Sequence, residues 1–221
     1  MPKGPGGVIC LWGRQVPLIE PAVKRVIALV DGQNLYRSAM ECFAYHYPNY
    51  DIRLLAEAVC ATRPQWTLSQ VRFYTGVPPI AEDPFWHRFW QAKLLAMKRQ
   101  KIHTFSRHTR NQREKGIDVQ IAIDAIRLAH NGTADVLLIF SQDQDLSGVV
   151  TEVKTIAREQ NRWIRVACAF PYHATAPNGR GINNSEWIRI DRTLYDAFID
   201  PRDYRSPTPA PGIKAAAPSP P

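Results

Sequence analysis

The stretch Asp135–Leu146, DVLLIFSQDQDL, decides how the chain is read. Its first part, Val136 to Phe140, is an unbroken apolar run, which suits a strand buried on both faces, as in a parallel sheet covered by helices. Its second part delivers Ser141, Asp143 and Asp145 just beyond that strand, at the carboxyl end where open α/β sheets place their ligands. Carboxylates two residues apart repel each other unless they are exposed, protonated or neutralised, and a hard divalent cation bound through oxygen is the usual solution. The same residues also suit an acidic helix start, with Ser141 or Asp143 as N-cap of a helix running through Val149 and Val153. The stretch alone does not choose between the two.

Toward the N-terminus the pattern recurs. Residues 25–30, RVIALV, form a β-rich run ending at Asp31, and the helical continuation opens with Gly32, giving a strand-to-helix junction that carries DxxN. Asp31 on its own reads most simply as a helix cap. Leu68–Tyr74 predicts a second strand, and Pro84 starts a helix through Met97 whose Phe85, Trp86, Phe89 and Trp90 are assigned to packing. Lys101–Ser106 predicts a third strand. A helix from Asp118 follows, with Ile121, Ala125 and Ala129 facing inward and Asn131 and Gly132 ending it. Asp124 sits about 240° around that helix from Asp118, so it is expected to support the site indirectly or to pair with Arg127 or Lys115. Beyond the opening stretch come a helix to Glu159, a fifth strand over Trp163–Ala169, and a final short strand (WIRI) and helix (RTLYDAFI).

Strands alternating with helices call for a mainly parallel sheet with right-handed crossovers. In the order 3-2-1-4-5, strands one and four are neighbours at the switch point, which brings Asp31 beside Asp143 and Asp145. Asp118, opening the helix that leads into strand four, faces the same crevice if that helix starts at the rim. The loop after strand three is basic, with Arg107, Arg110, Arg113 and Lys115, and it opens on that rim too, so its cations would flank the carboxylates. Phosphate-gripping side chains beside a metal site make physical sense there, although an isolated charge run is more often a solvated face. Arg180, in the long segment after strand five, is a further candidate substrate contact.

The chain has 221 residues, 45% of them hydrophobic, enough for one full core, and its net charge of +8 favours a polyanionic partner. Residues 1–23 hold four prolines and four glycines and are read as a flexible lead-in, 24–204 as the folded domain, and 205–221 as a disordered Pro/Ala-rich tail. Cys10, Cys42, Cys60 and Cys168 show no metal-binding spacing and no disulfide framework, and no segment reaches membrane-spanning length. A soluble cytoplasmic protein with reduced thiols is expected.

Three motifs carry a resemblance: VDGQNL around Asp31, KGIDVQIAIDAI around Asp118 and LIFSQDQDL around Asp143 resemble those of the NYN domain family, the LabA-like or DUF88 group within the PIN-like nucleases. The resemblance implies a PIN-like three-layer α/β/α sandwich around a mainly parallel five-stranded sheet, and a ribonuclease dependent on Mg²⁺ or Mn²⁺. Carried over position by position, Asp31, Asp118, Asp143 and Asp145 match the acidic metal-site positions, and Asn34 and Ser141 their polar companions. Gln142 departs from the pattern, standing where the family commonly has a glycine that permits close backbone approach. RNA is the implied partner, with homo-oligomerisation left open. A non-catalytic RNA-binding module on the same fold is the competing reading. An aspartyl phosphatase using the DQD pair ranks below both, because such enzymes carry their DxD after the first strand.

Overall fold

A computed structural model describes residues 19–109 and 116–205. The lead-in call over residues 1–18, the tail call over 206–221 and the loop residues Arg110, Arg113 and Lys115 lie outside them. The strands are β1 (Lys24–Asp31), β2 (Trp66–Val77), β3 (His103–His108), β4 (Val136–Phe140), β5 (Arg165–Pro171) and β6 (Glu186–Ile190). Between and after them come α1 (Gly32–Phe43), α2 (Ile52–Ala61), α3 (Pro84–Arg99), α4 (Ile117–His130), α5 (Ser147–Glu159) and α6 (Arg192–Asp196). A single 3₁₀ turn, Gln144–Leu146, precedes α5.

All six strands are parallel, in the order β3-β2-β1-β4-β5-β6. The sheet thus has six strands where five were expected, because the predicted short strand at Glu186–Ile190 pairs with β5 and extends the edge. The α/β/α layering follows from strand periodicity, since successive side chains point to opposite faces. Val26, Ala28, Val30, Val136, Leu138 and Phe140 pack with α1, α2 and α3 on one side. Ile27, Leu29, Leu137 and Ile139 pack with α4 and α5 on the other. With both faces covered, the central strands have no room for a polar alternation, which is why β4 is apolar at every position. Truncating Phe140, fully buried, to alanine would cost about 3–5 kcal/mol.

β2 runs longer than Leu68–Tyr74 because its two ends serve different neighbours. β1 pairs with Trp66–Tyr74, and β3 with Arg72–Val77. At the β1–α1 junction the first residue must be glycine for a packing reason: a Cβ on Gly32 would collide with the ring of buried Phe73. The chain runs from β1 out to β3 under α1 to α3, then α4 carries it back across the opposite face to β4. That reversal leaves a crevice above the carboxyl ends of β1 and β4.

Candidate active site

β1 and β4 are in register from Val26 opposite Val136 to Val30 opposite Phe140, so the next residues, Asp31 and Ser141, end the two strands side by side. Asp31 Oδ1 accepts a hydrogen bond from the Asn34 backbone N–H at 3.0 Å and caps α1. Asn34 reaches across in turn: its Oδ1 accepts from the Gln142 N–H at 2.8 Å, tying the first junction to the loop after β4. Ser141 is buried, and its Oγ accepts from the Asp143 N–H at 3.2 Å. Asp143 Oδ1 accepts from the Asp145 N–H at 3.0 Å and caps the 3₁₀ turn. Asp118 stands in the first turn of α4, which is opened by Gly116 with a left-handed φ of 78°.

These elements enclose a cavity of about 210 Å³ lined by Asp31, Gln33, Asn34, Arg37, Ile117, Asp118 and Asp143. Cap and cavity wall are therefore not alternatives for Asp31 and Asp143. Capping engages Oδ1 of each carboxylate, and both side chains still line the cavity. Burial pushes the Asp31 carboxyl up to about 6, and the nearby Asp143 charge adds to that, while the Asn34 and Gln33 N–H groups and Arg37 pull it down less strongly. Arg37 is the cation on the cavity wall. The donor set is all hard oxygen, which suits Mg²⁺ or Mn²⁺. Among the described residues, however, no three His, Cys, Asp or Glu side chains are gathered closely enough to hold an ion together. The three aspartates surround the space rather than converge in it.

Several expected residues lie elsewhere. Asp145 is exposed on the 3₁₀ turn and is not on the cavity wall. Arg180 is exposed, with its guanidinium donating to Asn183 Oδ1 at 3.3 Å. Arg107, near the end of β3, lies over the Phe105 ring at 5.4 Å and against Gly116, two residues from Asp118. Asp124 pairs with Arg72 at 3.3 Å and accepts from the Tyr74 hydroxyl at 2.7 Å, in place of the expected Arg127. The cation came from β2 because α4 lies against that strand, whereas Arg127 on the helix itself is exposed.

Sequence reasoning missed Gln33 and Arg37. Their signal was helical spacing: Arg37 follows Asn34 by three residues and Gln33 by four, and so shares their face of α1. It also missed what the two glutamines of SQDQD do. Gln142 is buried, its Oε1 accepts from Ser38 Oγ at 2.7 Å, and its Nε2 donates to the Asn178 and Arg180 carbonyls. Gln144 donates to the Gly181 carbonyl at 3.0 Å and accepts from the Asn183 N–H at 3.2 Å. Both side chains moor the 178–183 segment, so the position that commonly holds glycine carries a side chain directed away from the cavity.

The sequence matches the profile of the NYN domain over residues 25–171. The chain belongs to the NYN domain family. No curated protein matches it. Among solved structures, this NYN domain is similar to VPA0982, a protein of unknown function from Vibrio parahaemolyticus, at 20% identity and a TM-score of 0.53, covering 82% of this chain and 99% of that one. That likeness concerns the fold alone. The structure called AtPrR2 in apo form matches at 13% identity and a TM-score of 0.25 over 66% of this chain and 48% of that one, too distant to carry any argument. The six-stranded parallel sheet with helices on both faces is the PIN-like architecture of the NYN domain, and β6 and α6 extend it past the matched span.

Proposed function

We propose that this NYN domain is a divalent-metal-dependent ribonuclease, acting as an endoribonuclease, that hydrolyses RNA phosphodiester bonds at the cavity between β1, β4 and α4. The observation that carries the reading is that three separate elements each deliver an aspartate, Asp31, Asp118 and Asp143, to one cavity with Arg37 on its wall. Helix caps alone would have no reason to share a cavity.

Asp31 and Asp143 would hold Mg²⁺ or Mn²⁺ directly, with Asp118 acting directly or through water. An ion of this kind keeps waters and substrate oxygens in its shell, so it needs few direct protein ligands. When bound, the ion lowers the pKa of a water and offsets charge on the phosphate. Asp145 adds negative charge outside the cavity, and its backbone N–H orients Asp143. Arg37 meets a non-bridging phosphate oxygen, and Asn34 fixes the spacing between the Asp31 junction and the loop of Asp143. Ser141 sets the direction of Asp143 from beneath. Arg107, Arg110, Arg113 and Lys115, with Arg180 on the far rim, grip the RNA backbone. The three cysteines among the described residues, Cys42, Cys60 and Cys168, are free, which suits a cytoplasmic enzyme, and no described helix is long and apolar enough to cross a membrane.

One observation favours the second reading, a non-catalytic RNA-binding module: the aspartates do not converge as a ready-made metal site. Cleavage of labelled single-stranded RNA with Mn²⁺ or EDTA, by wild type and by Asp143→Asn, separates the two. Cutting that needs both the ion and Asp143 is expected. RNA that is bound but never cut would leave the binding module standing.

A further inference from the structure

A second cavity, of about 390 Å³, adjoins the acidic one and shares Gln33 and Arg37 with it. Its volume is in the range that takes small organic ligands, about 300–1,000 Å³. Its character is different. Tyr36, Trp86 and Trp90 supply aromatic surface, Pro48 and Pro78 stiff apolar walls, and Glu82 and Asp83 its acidic groups. Phe85, Trp86, Phe89 and Trp90 were assigned to packing; Phe89 and Trp90 are buried, but Trp86 is only partly so. Trp86 is held edge-on by Phe89 at 5.0 Å and by Phe85 at 5.4 Å, and Tyr36 is fixed by its hydroxyl donating to the His46 carbonyl at 3.0 Å. The rings meet at 48° with centroids 6.4 Å apart. Both rings are partly exposed and line the cavity rather than filling the core. Among the described residues, the side chains of Gln33, Glu82 and Thr109 make no hydrogen bond, whereas Asp83 spends one oxygen capping α3 at Trp86 N.

We propose that this cavity binds one nucleobase of the RNA whose phosphate lies at the aspartates, and that guanine is the base it prefers; the inference rests on the nuclease reading for what lies next door. Glu82 and Asp83 disfavour a phosphate deep in this cavity and leave Arg37, on the wall it shares with the acidic one, to meet it. A flat uncharged ring fits, since single-stranded RNA is read by splaying a base onto aromatic side chains and bonding its Watson–Crick edge. The Glu82 carboxylate only accepts, so it selects a base with N–H donors. Guanine presents two adjacent ones on that edge; uracil presents one, flanked by carbonyls that would face the carboxylate. Arg37, on the wall between the cavities, then meets the phosphate joining base to cleavage point. The basic segment leaves the wall of the base cavity at Thr109 and rejoins the described chain at Gly116, beside Ile117 of the acidic one.

The test is calorimetric titration of GMP and UMP in EDTA, with cleavage of a randomised single-stranded RNA measured alongside, on wild type, Trp86→Ala, Glu82→Gln and Asp143→Asn. GMP should bind more tightly than UMP to wild type and to Asp143→Asn. Trp86→Ala should weaken GMP about tenfold, the size of one base-stacking contact. Exposed Glu82→Gln, which leaves the packing alone, should erase the preference for GMP, and cut sites should lose a guanine at fixed offset. Equal binding of GMP and UMP by wild type, or an unchanged preference in Glu82→Gln, overturns the base site. Cutting without base preference removes the base site and leaves the nuclease; guanine-selective binding without any cutting removes the nuclease and leaves the base site.

Discussion

Charged residues flank the β1–β4 pair at both ends, and the two ends are built in opposite ways. At the start, Arg25 grips Asp135 with two guanidinium bonds, Nε to Oδ2 at 3.0 Å and Nη2 to Oδ1 at 2.9 Å, and with its backbone N–H at 2.9 Å. Burial alone would push the Asp135 carboxyl up, but these bonds and the Arg25 charge hold it below the usual carboxylate range. At the other end, burial and the nearby Asp143 charge raise the Asp31 carboxyl to about 6, and the Arg37 charge offsets this only in part. One sheet, one pair of strands and one residue type give a satisfied pair and an unsatisfied cluster. A carboxylate serving the fold is neutralised by the fold; one left unneutralised awaits something the chain does not supply.

The two ends should differ most when one carboxylate is removed from each. Asp31→Asn keeps the cap, since asparagine also caps, and should leave the protein folded while RNA cleavage falls by about a hundredfold or more. Asp135→Asn should leave the turnover rate of the folded enzyme unchanged. Single-turnover rates checked against circular dichroism decide it, and equal rate losses in both variants would erase the distinction.

Next in size is the response to metal. Saturating Mn²⁺, at about a hundred times its Kd, should stabilise wild type by about 2.7 kcal/mol through binding to the native state alone. Melting of Asp143→Asn should respond much less, and that of Asp135→Asn as fully as wild type does.

The pH dependence should run in opposite directions at the two ends. Asp31 has a raised folded-state value, so its favourable effect is fully present below about pH 4 and is lost as pH rises through 6, a change of order 2–3 kcal/mol in ion-free protein. Asp135 is lowered, so its contribution is present above about pH 4 and is lost in acid. Melting curves from pH 4 to 7 in EDTA for wild type and Asp31→Asn should diverge by the first of these; parallel curves would mean Asp31 is not strained.

The smallest effect expected is loss of the Arg25 pair itself. Arg25 is half exposed, with its side chain 53% accessible, so Asp135→Asn should cost only about 1–2 kcal/mol in denaturant unfolding.

The order of elements, the parallel sheet and the placing of Asp31 and Asp143 at neighbouring strand ends were legible in the chain, because a strand covered on both faces has to be apolar throughout and a run such as Val136–Phe140 has few other uses. Asp118 was legible too, from its place in the first turn of a strongly periodic helix. The partner of Asp124 was not. Arg72 lies on a different element, and nothing local in either sequence segment links them. The glutamines were equally silent, since Gln142 and Gln144 find their acceptors in the 178–183 segment, over thirty residues away.

By itself, then, the sequence determined which residues end strands and open helices, because periodicity and capping are properties of neighbours along the chain. Only the tertiary structure decided which of those ends share a cavity, that Asp145 stands outside it while Arg37 lines it, and that Trp86 faces an open space its helical spacing had assigned to the core. The reason is physical: a helix pattern says that a face is apolar, but how far that face is covered depends on where other elements stop. Here the buried part of α3 ends at Phe89, about one turn short of Trp86.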